Sequence, residues 1–192
     1  MPVLLSNTFP EINCSCFPSV QFHFWLEFPE LSISLSACSL EARSLPVLVN
    51  LTKLKLVLHE CKYWELLAEL LLRAPNLEVL ALEDVSKISV HLFYAPPTCS
   101  SSQSEYSEVW ESPKFLPNCL SSHLKTISIT GFKGRPIERE AAKYLLWNGH
   151  LLNKMTIYTH RRLFCKKEEL LKEFLKFHRA MTCQVEFIEM KV

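Results

Sequence analysis

One spacing of apolar residues, L-x-x-L-x-L, recurs along this chain and constrains its fold more than any other feature. Leu51, Leu54 and Leu56 fill it in NLTKLKL, and Leu77, Leu80 and Leu82 fill it in NLEVLAL. Leu124, Ile127 and Ile129 fill it in HLKTISI, and Leu152, Met155 and Ile157 in LLNKMTI. A fainter copy, FPELSISL, offers Phe28, Leu31 and Ile33. First positions are separated by 26 residues (51 to 77), 47 (77 to 124) and 28 (124 to 152). The long interval contains APPTCSSSQSEYSEVWESPKFLP, a run of prolines and serines without apolar period, which predicts an inserted mobile loop at 95–109.

Within each frame apolar residues alternate with Lys, Thr, Glu or Ser, the period of a strand with one buried face. Between frames the period becomes helical. Trp64, Leu67, Leu70 and Leu71 predict a helix that ends before Pro75, and Ala142, Leu145 and Leu146 predict a second, stopped by Gly149. A third carries Leu170, Leu171, Phe174, Leu175 and Phe177 on one face, and CQVEFIEM reads as a closing strand. Alternating strands and helices give a parallel sheet with helices packed on one side. Two of the three intervals lie in the leucine-rich-repeat range, so the α/β fold expected is a short leucine-rich-repeat solenoid, its helices on the outer face. Residues 1–46 fit this frame poorly and are expected to be an irregular segment or a degenerate repeat.

Composition excludes several classes of function. With 21 basic and 20 acidic residues the formal charge is +1, so no nucleic acid or anionic membrane partner is expected. No apolar stretch is long enough to span a bilayer, and the first residues lack a secretory pattern. The eight cysteines form no C-x-x-C pair and read as reduced thiols, consistent with a cytoplasmic or nuclear protein. Both matches to the glycosylation acceptor pattern, at Asn13 and Asn50, are attributed to chance.

No catalytic or cofactor motif emerges. The three glycines, Gly131, Gly134 and Gly149, cannot build a phosphate loop, and GFKG reads as a strand-to-helix turn that needs positive φ. Seven histidines are scattered as His23, His59, His91, His123, His150, His160 and His178, with no pair at chelating helical spacing. A metal site at His59 and Cys61, or a nucleophile pair of Cys119 with His123, lacks local support. The cluster of His160, Arg161, Arg162, Lys166 and Lys167 around Phe164 runs straight into Glu168 and Glu169, and reads as a loop leading into a charged helix. No enzyme, no cofactor and no metal is expected.

From Trp110 onward the chain resembles the FBD domain found at the C-terminal end of many plant F-box and leucine-rich-repeat proteins. The resemblance is carried by WESP, by P-x-C-L at Pro117 to Leu120, by H-L-K-T at His123 to Thr126, and by G-F-K-G at Gly131 to Gly134. It continues through AAKYLLWNGHLLNKMTI, KKEELLKEFLKFHRA and CQVEF. This divides the chain into residues 1–46, leucine-rich repeats at 47–94, the loop at 95–109, and an FBD-like αβ cap at 110–192.

The resemblance implies a noncatalytic protein-interaction module, the substrate-recognition part of an F-box subunit of a cullin-type ubiquitin ligase. Residues 1–46 show no F-box pattern, which weighs against binding of the ligase adaptor. The alternative is a truncated or diverged family member without a ligase role, acting as a competitor or surviving as a remnant. The target protein is unspecified. Strand alternation singles out Lys53, Lys55, Glu78, Lys125 and Ser128 as candidate partner contacts.

Overall fold

The computed structural model describes residues 11–13, 29–35, 46–58, 64–85, 114–161, 163, 166–176 and 183–190. The loop expected at 95–109, together with Phe28, His59, Cys61, Trp110, Phe164 and Phe177, lies outside the described residues.

Among the described residues seven strands form one sheet: β1 (Glu11–Asn13), β2 (Glu30–Leu35), β3 (Lys53–Leu58), β4 (Val79–Asp84), β5 (Thr126–Phe132), β6 (Lys154–Thr159) and β7 (Gln184–Glu189). Every pairing is parallel, and strand order in the sheet is the order in the chain. Among the described residues four helices lie between strands: α1 (Trp64–Arg73), α2 (Asn118–Ser122), α3 (Pro136–Asn148) and α4 (Lys167–Lys176). Sequence alternation places β3 to β6 where the four clear frames stand, and FPELSISL supplies β2.

The register explains why the frame repeats. Leu31, Leu54, Leu80, Ile127, Met155 and Val185 stand opposite one another across successive strands, as do Ile33, Leu56, Leu82, Ile129, Ile157 and Phe187. From β2 to β6 both rows are almost completely buried, and the first frame residues Leu51, Leu77, Leu124 and Leu152 are buried beside them. Helix residues Leu67, Leu70, Leu71, Ala141, Ala142, Leu145, Leu170 and Phe174 complete the same core. Each buried leucine contributes about 1.5–3 kcal/mol by leaving water. A slip of one residue would turn a whole row outward, so the apolar pattern also holds the register.

Strand entrances repeat one backbone device. The carbonyl of Pro29 accepts N–H bonds from both Thr52 and Lys53, and that of Thr52 from Glu78 and Val79. Glu78 does the same for Lys125 and Thr126, and Lys125 for Asn153 and Lys154. Four consecutive strands are thus launched by the same bifurcated bond, although the chain between them varies in length.

At the far end of β5 the ladder is interrupted. Register shifts between Thr130 and Phe132, with Gly131 at φ +79°. A Cβ on Gly131 would lie 2.2 Å from the Asp84 carbonyl oxygen, so only glycine allows this approach of β5 to β4. The bulge turns Phe132 into the core, where Phe174 meets it edge-on at 6.4 Å and meets Phe187 at 5.4 Å. Gly149 does end α3, but at φ −78° rather than in the left-handed region. Its need for glycine is contact: a Cβ would meet the Leu145 carbonyl at 2.9 Å.

Leu80→Ala is expected to cost about 2–5 kcal/mol, whereas Ser128→Ala on the opposite face of the sheet should change stability by no more than about 0.5 kcal/mol. Urea denaturation of the two variants beside the parent tests this contrast, and equal losses would contradict the assignment of faces.

Candidate interaction face

Opposite the buried rows the sheet presents three further rows of side chains. The first is Glu30, Lys53, Val79, Thr126, Lys154 and Gln184; the second is Ser32, Lys55, Ala81, Ser128, Thr156 and Glu186. The third is Ser34, Val57, Glu83, Thr130, Tyr158 and Ile188. Most of these side chains are half-buried, while Ser32 and Thr156 are almost completely buried.

Of the predicted contacts, Lys53, Lys55 and Ser128 stand on this face. Glu78 and Lys125 instead occupy the residues just before β4 and β5, at the lip where the strands begin. All four charged members are in ion pairs: Lys53 with Glu30, Lys55 with Glu83 at 2.9 Å, and Lys125 with Glu78 at 2.9 Å. Lys154 and Glu186 add a further pair at 2.9 Å, which alternation alone did not select. Each such exposed pair contributes only about 0–1 kcal/mol, so their effect is to fix the charge pattern of the face rather than to hold the sheet together.

A second polar cluster, missed by sequence reasoning, lies at the opposite ends of β4 and β5. The side chains of Asp84, Lys133 and Glu138 are only 2%, 3% and 0% exposed. Lys133 Nζ donates to Asp84 Oδ1 at 3.0 Å, and Arg135 reaches the other Asp84 oxygen. Glu138 Oε1 accepts from Arg135 Nε at 2.6 Å, and Oε2 accepts from the backbone N–H groups of Lys133 and Arg135 at 2.8 and 3.2 Å. Glu138 thereby fills the start of α3, with Pro136 in its first turn. Pro136 followed two residues later by Glu138 is a helix-start signal visible in the sequence. The partnership with Asp84 is not, because 49 residues separate Asp84 from Lys133.

Burial pushes the Glu138 carboxyl above its usual range, the Arg135 charge partly opposes this, and Asp84 adds to it. Burial likewise pushes the Cys119 thiol up to about 12. That thiol faces the Leu71 carbonyl at 3.5 Å, while the His123 imidazole pairs with Ser122 Oγ at 2.8 Å, so the two do not form a nucleophile pair. Among the described residues no three His, Cys, Asp or Glu side chains gather to hold a metal ion, and no helix is long and apolar enough to cross a membrane. His160 and Arg161 lie between β6 and α4, before the helix that begins at Lys167.

The class of protein is defined by a family match: residues 111–157 match the FBD domain family. Related curated proteins then narrow it. The chain is 33% identical over 162 residues to an F-box/FBD/LRR-repeat protein of Arabidopsis thaliana, covering 81% of this chain and 34% of the relative. It is 32% identical over 154 residues to another F-box/FBD/LRR-repeat protein of Arabidopsis thaliana, covering 79% and 31%. It is 32% identical over 138 residues to a probable FBD-associated F-box protein of the same plant, covering 71% and 30%. The chain belongs to the plant F-box/FBD/LRR-repeat family, and spans about a third of the length of these relatives. No solved protein structure matches it at a significant level.

Removing Asp84 would take the carboxylate at 3.0 Å from the buried Lys133 and leave Arg135 with Glu138, so Asp84→Ala is expected to cost roughly 3–5 kcal/mol. Because the folded-state pKa of Glu138 is raised, the stability arising from its protonation is fully present below the unfolded value of about 4.3 and is lost as pH rises through the folded value. The cost of Glu138→Gln relative to the parent should therefore shrink as pH rises through that window. Chemical denaturation of parent and both variants across this range decides the matter; a cost for Glu138→Gln that grows with pH would contradict the direction of the shift.

Proposed function

We propose that this chain is a noncatalytic protein-interaction module: a short leucine-rich solenoid at 47–94 closed by an FBD-type αβ cap at 110–192, the two sharing the polar face of one sheet. The observation that carries the reading is the parallel sheet in chain order, whose buried rows repeat the L-x-x-L-x-L frame. In such a stack Lys53, Lys55 and Ser128 stand on the face opposite the buried rows, with Glu78 and Lys125 at its lip. These five residues are the proposed partner contacts.

Membership among F-box/FBD/LRR-repeat proteins supports reading the partner as a target protein held for a cullin-type ubiquitin ligase. The chemistry of ubiquitin transfer would then belong to other subunits, and this chain would act by positioning. Affinity capture from plant extract, read by mass spectrometry, tests the proposal with the parent chain and with Ser128→Arg, both checked for folding by thermal melting. A reproducible set of proteins held by the parent and lost by the variant is expected. Folded parent bait that captures nothing, or captures that survive Ser128→Arg unchanged, would overturn the assignment of the face. Recovery of the cullin adaptor with those targets would extend the role to ligase assembly.

A further inference from the structure

The polar face is not uniform, and its chemistry restricts the partner. From β2 to β7 every charged side chain on its three rows is already matched: Glu30 with Lys53, Lys55 with Glu83, and Lys154 with Glu186. The pair at the lip, Glu78 with Lys125, is matched as well. From β2 to β7 the face therefore carries no net charge to draw in a polyanion or a polycation, and a charged partner there would have to compete with pairs already made.

Between the Lys55–Glu83 and Lys154–Glu186 pairs lies a neutral strip on β4, β5 and β6. Its members include Ala81, Thr126, Ser128, Thr130, the almost completely buried Thr156, and Tyr158. The short side chains of Ala81 and Ser128 lie in the row that has Lys55 at one side and Glu186 at the other. The distance from β3 to β7 is four strand spacings, about 19 Å. The hydroxyls of Thr126, Ser128, Thr130 and Tyr158 have no side-chain hydrogen-bond partner among the described residues. Each can donate one hydrogen bond and accept others.

We propose that this strip is the reading surface of the face, and that it takes an extended, uncharged segment of a partner protein carrying amide and hydroxyl side chains. The inference rests on the sheet face being the interaction face. Thr126, Ser128 and Thr130 succeed one another every second residue, about 6.6 Å apart along β5. That is the interval at which an extended segment lying along the strand presents its own same-side residues. Amide side chains supply both donors and acceptors, so they satisfy the hydroxyls without displacing Lys55 or Lys154 from their pairs.

Random peptides displayed on phage, selected against the folded parent chain, provide the test. Enriched peptides should be uncharged through the bound segment and rich in Asn, Gln, Ser and Thr, and their affinity should be nearly the same at low and high salt. Ser128→Arg, and independently Tyr158→Ala, should weaken binding roughly tenfold or more, while Lys172→Glu on the exposed side of α4 should leave it unchanged. Acidic or basic peptides that depend on Ser128 and on low salt would overturn the inference and leave the face assignment standing. Peptides indifferent to both strip variants would overturn the inference and the face assignment together. Failure of the folded chain to enrich any peptide would overturn the proposal that its partner is a linear segment.

Discussion

Parallel register is the constraint from which the rest of this structure follows. A strand exposes alternate side chains to its two faces, so once Leu54 and Leu56 are buried, Lys53, Lys55 and Val57 must be turned the other way. The same holds for Leu80 and Leu82 in β4, for Ile127 and Ile129 in β5, and for Met155 and Ile157 in β6. Burial therefore decides two things together: which residues hold the sheet to its helices, and which stand on its other face. The proposed interaction face is the remainder left by the core, and its position depends on the register of every strand from β2 to β7.

Keeping that register across the long excursion between β4 and β5 requires more than apolar rows. Gly131 lets β5 come up against the Asp84 carbonyl, and Lys133 and Arg135 close on the Asp84 carboxylate from the turn that follows. Glu138 ties the same turn to the first residues of α3. The G-F-K-G stretch thus combines three roles: it bulges the strand, delivers Phe132 to the aromatic contact with Phe174, and places the two cations that hold the end of β4. Buried charge of this kind is a weak source of net stability but a strong penalty against mispairing, since any other register would leave ions unpartnered in the core.

Much of the fold was legible because its controlling pattern is local. Three apolar residues within six positions identify β3, β4, β5 and β6, and helical spacing identifies α1, α3 and α4. Even the weak FPELSISL copy is a strand, with Leu31 and Ile33 buried as the frame requires. Strand β1, three residues long, carries too little pattern to be read. Long-range chemistry was less accessible. Nothing near Asp84 announces Lys133 or Arg135, and nothing near Lys154 announces Glu186, because those partners are set by the sheet and not by sequence distance. Of the candidate contacts, alternation found Lys53, Lys55 and Ser128 on the open face but could not reveal that the charges were already paired, or that a neutral hydroxyl strip lies between them.

If one sheet in continuous register is what couples the repeats to the FBD region, native-state hydrogen exchange measures that coupling directly. The account predicts that the central amides of β3, β4, β5 and β6 open with one common free energy, since no strand can be exposed without uncovering the buried rows of its neighbours. Two separate levels of protection, one for β3 and β4 and another for β5 and β6, would contradict it and make the chain two bodies that merely touch.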